Sequence, residues 1–120
     1  MSVQVFKVYQ IQLDKKLVEL VNKEGWNCHE KATAYADATF GNNFKAAAMK
    51  FDECYTHVAN IVADSLDHVF EVGNIGPEDR IERFGKMSSI SVGNIIEDAD
   101  GNRSVVANFG FESLNSEVDF

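Results

Sequence analysis

The sequence predicts a single α+β domain in which several helices pack on one face of a small, mainly antiparallel β-sheet. Three observations lead to this prediction. Apolar residues alternate near the N-terminus, as in a half-buried strand. Segments with helical apolar spacing and capping residues follow. The last third contains two apolar runs joined by a short acidic turn, which is typical of a β-hairpin.

Length and composition are typical of one domain. The chain has 120 residues, 45% of them hydrophobic and 25% charged, which suffices to bury a core without a disulfide or a metal ion. We expect the domain to span residues 1–114 and residues 115–120 to form an acidic C-terminal tail. No apolar run approaches the roughly 20 residues that cross a bilayer, and no signal peptide is recognisable. These features predict a cytoplasmic protein, without membrane contact and with reduced cysteines.

The N-terminal segment is predicted to be a strand over residues 3–13. Its odd positions form the expected buried face and are apolar apart from Lys7: Val3, Val5, Tyr9, Ile11 and Leu13. Phe6 and Val8 add apolar surface on the other face, so we expect the strand to lie inside the sheet. Asp14 then caps an amphipathic helix that ends at Gly25.

The rest of the chain is predicted from capping residues, β-branched runs and turn signals. We expect, in chain order, helices over 27–38 and 43–51, a strand over 54–62 that the preceding helix could invade, a helix from Asp64 or Ser65 to Gly73, an irregular segment over 77–83, and hairpin strands over 89–97 and 103–111.

The charge of the chain limits the classes of partner. The formal net charge is −8. From residue 97 to the C-terminus the chain has one basic residue, Arg103, and six acidic residues: Glu97, Asp98, Asp100, Glu112, Glu117 and Asp119. Binding to nucleic acid or to an anionic membrane requires clustered Lys and Arg, so we expect neither. The acidity favours a basic partner, or a surface that imitates nucleic acid.

Four short motifs of the chain form a recognisable set: Val8-Tyr9-Gln10, the run from Phe70 to Asp79, the run from Ser89 to Ile96, and Gly110-Phe111. Together they resemble the YodL-like family of small bacterial, phage and mobile-element domains. The match covers about residues 64–114. Members of this family are often accessory proteins without an assigned reaction, so the resemblance implies a mobile-element origin more than a mechanism.

Asn94 departs from the family pattern, which usually has Asp at this step. If that carboxylate took part in catalysis, the substitution would have removed it, because an amide takes up no proton at neutral pH. A role in a turn would survive, since Asn and Asp both bond to nearby backbone amides. We therefore interpret the motif as structural.

No sequence pattern assigns catalytic, cofactor-binding or metal-binding residues. Cys54 and His57 have the spacing of two zinc ligands, but the adjacent Cys28 and His29 do not form a second tight pair. A cysteine nucleophile would need an orienting residue and an oxyanion loop, and neither is visible. The turn at 98–102 has its glycine at position 4, where a calcium loop needs it at 6. We expect no cofactor.

The sequence favours a non-catalytic, protein-binding accessory protein, of phage or mobile-element origin, that modulates a host protein. The expected partner-binding residues combine aromatic anchors with acidic positions: Trp26, Asp98, Asp100, Phe109, Phe111 and Glu112. Two alternatives stay open: an acidic nucleic-acid mimic that blocks a nucleic-acid-binding host factor, and a small enzyme of unrecognised type. Aromatic residues that are exposed together would also serve as the interface of a homodimer. The interface hypothesis requires a contiguous exposed apolar patch.

Overall fold

Four α-helices, two 3₁₀ turns and six strands lie in the part of the chain that the computed structural model describes, residues 3–39, 51–87, 90–107 and 110–113. The helices are α1 (Lys15–Glu24), α2 (Glu30–Thr39), α3 (Phe51–Cys54) and α4 (Leu66–Ile75). The strands are β1 (Gln4–Ile11), β2 (Tyr55–Ala63), β3 (Ile81–Arg83), β4 (Ile95–Glu97), β5 (Arg103–Ala107) and β6 (Gly110–Ser113). This arrangement confirms the predicted α+β class.

The described strands form one antiparallel sheet in the order β3-β2-β1-β4-β5-β6. As expected, β1 lies inside the sheet, between β2 and β4. Val8 opposes Ala59 of β2 on one side and Ile96 of β4 on the other. The pairing of β1 with β2 skips Val58, a β-bulge that leaves Val58 and Ala59 in the same core.

Side chains at successive strand positions pack into two cores on opposite faces of the sheet. The core beneath α4 includes Phe6, Val8, Ile61, Val69, Val72, Ile96 and Val106. The core beneath α2 and α3 consists of Ile11, Ala34, Cys54, Tyr55, Ile95 and Val105. The expectation that the helices pack on one face is therefore corrected. Consecutive apolar residues such as Ile95 and Ile96 leave apolar surface on both faces, and each face needs its own helix.

The more completely buried face of β1 is the one opposite to the face that the sequence predicted. Phe6, Val8 and Gln10, at the even positions, are buried, whereas Val5 on the expected face is 48% exposed. The physical reason lies in the helices. Residues of α4 pack against the even face beside Phe6 and Val8, whereas α2 packs on the odd face near Ile11 and leaves the Val5 end without a helix among the described elements.

The predicted hairpin is present, with shorter strands. β4 and β5 pair so that Ile95 opposes Val105, and Oδ1 of Asp98 closes the turn by accepting hydrogen bonds from the N–H groups of Asp100 and Asn102, both at 2.9 Å. Of the predicted strand over 89–97, the described residues 90–97 form a strand only from residue 95, because the backbone turns at Gly93, where φ is 93°.

The predicted strand over 103–111 is two strands, β5 and β6, which pair with each other. Gly110 has a φ of 88°, a left-handed conformation that a continuous strand does not contain. A further strand, β3, lies within the segment predicted to be irregular. Its three residues gain their strand geometry from pairing with β2, which no local pattern reveals.

Two helices begin at the predicted caps. Oδ1 of Asp14 accepts a hydrogen bond from the N–H of Leu17 at 2.8 Å at the start of α1. Oγ of Ser65 accepts one from the N–H of His68 at 3.2 Å at the start of α4. Each bond satisfies a backbone donor that the first turn of a helix leaves without an intrahelical partner.

Two other helix boundaries differ from the prediction. α2 begins at Glu30 and not at Asn27, because residues 26–28 form a separate 3₁₀ turn. α4 continues past Gly73 to residue 75, since Gly73 serves a close approach: a Cβ there would lie 2.3 Å from Cδ1 of Ile90. The helix predicted over 43–51 lies outside the described residues except for its last position.

Two further findings bear on the sequence predictions. In the described ranges, no helix combines the length and the apolar character needed to cross a lipid bilayer. Both cysteines are free thiols; Cys54 is buried, whereas Cys28 is partly exposed.

Asn74 ties α4 to the segment at residue 90, and its loss should destabilise the fold. Its Nδ2 donates to the carbonyl oxygen of Ile90 at 3.0 Å, and its Oδ1 accepts from the N–H of Ile90 at 2.6 Å. Asn74→Ala leaves both backbone groups of a buried residue without this partner. We expect the free energy of unfolding, measured by urea denaturation, to fall by about 1–3 kcal/mol.

Asn22→Ala is the matched control, because Asn22 is exposed within α1 and the change in helix propensity is the same. We expect it to change the free energy of unfolding by less than about 0.5 kcal/mol. Equal stability of the two variants would show that the Asn74 bonds do not hold the segment.

Candidate functional site

The candidate site is the half of one sheet face that no described helix covers. It belongs to the face on which α2 packs, and it extends from Tyr9 towards the first residue of β1. Three sets of side chains follow one another along it: an aromatic row beside α3, a row of charged and polar residues, and a set of exposed valines.

The valines form a contiguous apolar surface, which we call the valine patch: Val3, Val5 and Val62. Val5 opposes Val62 directly across β1 and β2, and Val3 lies two residues before Val5, on the same side of the chain. The exposed fractions are 54% for Val3, 48% for Val5 and 38% for Val62. The neighbouring exposed apolar side chains make this part of the sheet a candidate contact region.

The acidic turn of the hairpin lies beside the valine patch. The N–H of Ala99 donates to Oε1 of Gln4 at 3.0 Å, which holds the turn against the start of β1. Asp98 uses its carboxylate to close the turn, whereas Asp100 contributes only its backbone N–H and is exposed. The acidic turn therefore lies at the same end of β1 as the patch.

A row of charged and polar residues crosses the sheet next to the valine patch. We call it the charged row: Glu82, Asn60, Lys7, Glu97 and Arg103, each directly opposite the next on neighbouring strands. Oε1 of Glu97 accepts a hydrogen bond from Nε of Arg103 at 2.9 Å, and Nζ of Lys7 lies 3.8 Å from Oε2 of Glu97. Glu97 therefore compensates the charge of Lys7 on an otherwise apolar strand face.

The aromatic row connects the charged row to the core under α3. The ring of Tyr9 lies between those of Phe51, at 4.6 Å, and His57, at 5.0 Å between centroids. The guanidinium carbon of Arg103 lies 4.0 Å from the centre of the Phe51 ring, a cation–π contact. Burial raises the pKa of Tyr9, and the nearby charge of Glu97 raises it further, while Arg103 opposes this effect.

The side chains of the charged row and the aromatic row are better suited to binding a partner than to transferring a proton. Nε2 of His57 lies 2.7 Å from the amide oxygen of Asn60, so its near partner is not a carboxylate. The carboxylate of Glu97 is shared by two cations. Across the described ranges, no three His, Cys, Asp or Glu side chains come together as metal ligands would.

The residues that the sequence singled out for partner binding lie in different parts of the molecule. Asp98 and Asp100 lie beside the valine patch. Trp26 is exposed and stacks on Tyr35, with 5.7 Å between ring centroids, near the Ile11 end of the sheet. The eight residues of β1 separate these two places by roughly 23 Å at 3.3 Å per residue.

The aromatic residues predicted near the C-terminus do not add to the valine patch in the described structure. Phe111 is partly buried and packs against the core beneath α4, on the other face of the sheet. Phe109 and the side chain of Glu112 lie outside the described residues. The sequence prediction missed both Val5, which it placed on the buried face of the first strand, and Val62, which it placed only within the strand over 54–62. The signal that could have found them was Lys7, because a lysine two residues after Val5 indicates that this part of the face meets solvent.

The chain was compared with known proteins in three ways. No family model, curated protein or solved structure matches it. The resemblance to the YodL-like family stays a prediction. The residues that carry it have structural contacts here: Gly73 permits a close approach of α4, Asn74 bonds to the backbone of Ile90, and Asn94 organises the turn before β4.

Asn94 should tolerate aspartate and not alanine. Its Oδ1 accepts hydrogen bonds from the N–H of Ser91 at 2.9 Å and from Nε2 of the buried Gln10 at 3.2 Å. A carboxylate oxygen can accept the same bonds, so we expect Asn94→Asp to stay within about 1 kcal/mol of the wild type in urea unfolding. Asn94→Ala removes the acceptor and should cost about 1–3 kcal/mol. Equal losses for both variants would contradict this role.

Glu97→Gln should lower the pKa of Tyr9. The variant removes the negative charge that disfavours the ionised phenol, while the effect of burial remains, so the pKa should fall back towards its ordinary value. The measurement is an NMR titration of the ring carbons of Tyr9. Glu82→Gln is the control, since it removes a carboxylate of the same row that does not act on Tyr9. If the two variants titrate alike, Glu97 does not act on Tyr9.

Proposed function

We propose that the chain is a non-catalytic protein-binding module that modulates a host protein, and that the valine patch is its contact surface. The observation that supports this most is the pair Val5 and Val62, which oppose each other directly and are 48% and 38% exposed on a sheet face without a covering helix among the described elements. An apolar centre with a polar border is the usual composition of a protein interface.

The charge around the patch favours a basic partner. The chain carries a formal net charge of −8, and the turn that contains Asp98 and Asp100 lies at the same end of β1 as the patch, where Ala99 bonds to Gln4. A partner that presents an apolar segment flanked by Lys or Arg fits this surface. Long-range attraction would speed the encounter and weaken with salt, whereas the apolar contact would persist.

The resemblance to the YodL-like family bears on where the protein comes from and where it acts. It suggests a phage or mobile-element accessory protein that acts in the cytoplasm of a bacterial or infected host cell. Catalysis has less support, because His57 contacts an amide and the carboxylate of Glu97 is shared by two cations. The nucleic-acid mimic is a separate outcome of the experiment below.

The test is affinity capture of the tagged protein from nuclease-treated bacterial lysate at low and at moderate salt. The decisive variant is Val5→Thr/Val62→Thr, which keeps the β-branched shape and removes apolar surface. Val18→Thr is the control, since Val18 is exposed on α1, away from the sheet. We expect the wild type and the control to retain one basic partner at moderate salt, and the double variant to bind it about tenfold more weakly.

Three outcomes would contradict the proposal. A partner retained equally by the double variant would mean that the valine patch is not the contact surface. A partner lost at moderate salt from the wild type and the variants alike would favour the nucleic-acid mimic. The absence of any specific partner at either salt concentration would favour a small-molecule or enzymatic role.

A further inference from the structure

A cleft lies at the end of the sheet opposite to the valine patch, between α1 and the start of α2. Its volume is about 480 Å³, within the range of sites for small molecules. It is lined by Asp14, Lys16, Leu17, Leu20, His29 and Lys31. Neither its place nor its chemistry belongs to the proposed protein-binding surface.

The apolar part of the cleft comes from α1. This helix is amphipathic but buries none of its residues fully, in contrast to α4, which buries Val69 and Val72. Leu17 and Leu20 are half-buried and line the cleft side by side on one helix face. They offer apolar surface that an occupant of the cleft would remove from water.

Three of the four polar side chains that line the cleft offer hydrogen-bond donors, and the fourth is the carboxylate of Asp14. Nδ1 of His29 accepts the N–H of Lys31 at 3.0 Å, so the neutral ring carries its proton on Nε2. The carboxylate of Asp14 caps α1 through the N–H of Leu17. In the described part of the chain, the side chains of Lys16 and Lys31 form no ion pair or hydrogen bond.

The backbone adds to this positive character. Lys16 and Lys31 lie in the first turns of α1 and α2, whose N-terminal ends carry the positive pole of the helix dipole. Glu30, in the same turn as Lys31, does not line the cleft. A cleft that combines two lysines and a histidine with two leucines matches a ligand with a negative head and an apolar body.

We propose that this cleft binds a small amphipathic anion. Its carboxylate contacts the ammonium groups of Lys16 and Lys31 and the Nε2–H of His29, and its apolar chain packs on Leu17 and Leu20. Within a chain of net charge −8, this is a local site for a negative ligand, recognised by donors that other side chains do not occupy.

The test is an NMR titration of the full chain with octanoate, with octanol and acetate as the two partial probes. Octanol has the chain without the charge, and acetate has the charge without the chain. We expect octanoate to shift the amide signals of Leu17, Leu20 and Lys31 in a saturable way, and each partial probe to bind at least about tenfold more weakly.

Paired lysine variants test the residues. Lys16→Gln/Lys31→Gln should weaken octanoate binding about tenfold or more, while Lys15→Gln/Lys23→Gln, which changes exposed lysines of α1 outside the cleft, should leave it unchanged. Equal affinities for octanol and octanoate, equal losses in both double variants, or no saturable shift would each overturn the proposal. Val5→Thr/Val62→Thr should bind octanoate as the wild type does, so this result is independent of the protein-binding surface.

Discussion

The pairing of β1 with β2 and β4 is the constraint on which the rest of the structure depends. It places Phe6 and Val8 in the core under α4 and Ile11 in the core under α2. A slip of one residue would exchange the two faces, expose the buried side chains and move Lys7 into an apolar core. The same pairing places Lys7 opposite Glu97 and Val5 opposite Val62. Stability and the proposed contact surface therefore share one set of backbone hydrogen bonds.

The position of α2 divides the second sheet face into a covered and an open part. Near Ile11, α2 and α3 supply the apolar residues that close the core. Towards Val5 the sheet has no described helix above it, and the paired charges of Lys7, Glu97 and Arg103 form the transition from core to solvent. An ion pair at this border compensates the charge of a lysine that a fully covered face would have to exclude. This arrangement leaves a folded sheet with an apolar surface available to a partner.

Local signals in the sequence predicted the parts of the fold that local physics determines. Asp14 and Ser65 cap helices as expected, and the turn at 98–102 joins a hairpin. The buried face of β1 could not be predicted, because both of its faces carry apolar residues and the choice depends on where α4 packs. β3 exists through pairing with β2, and its sequence has no strand pattern. For the candidate site, the sequence shows Lys7 as a polar residue on an otherwise apolar strand face. Its partner Glu97 could not be predicted, because it is distant in the chain and adjacent only in the sheet.

The most direct test of this account is the solvent accessibility of the valine methyl groups, measured by NMR with a soluble paramagnetic probe. The account predicts strong relaxation of the methyl signals of Val3, Val5 and Val62, and weak relaxation of those of buried valines such as Val8 and Val69. If Val5 and Val62 are as protected as Val8, the sheet face is covered. The valine patch would then not be available to a partner, and the central claim would be wrong.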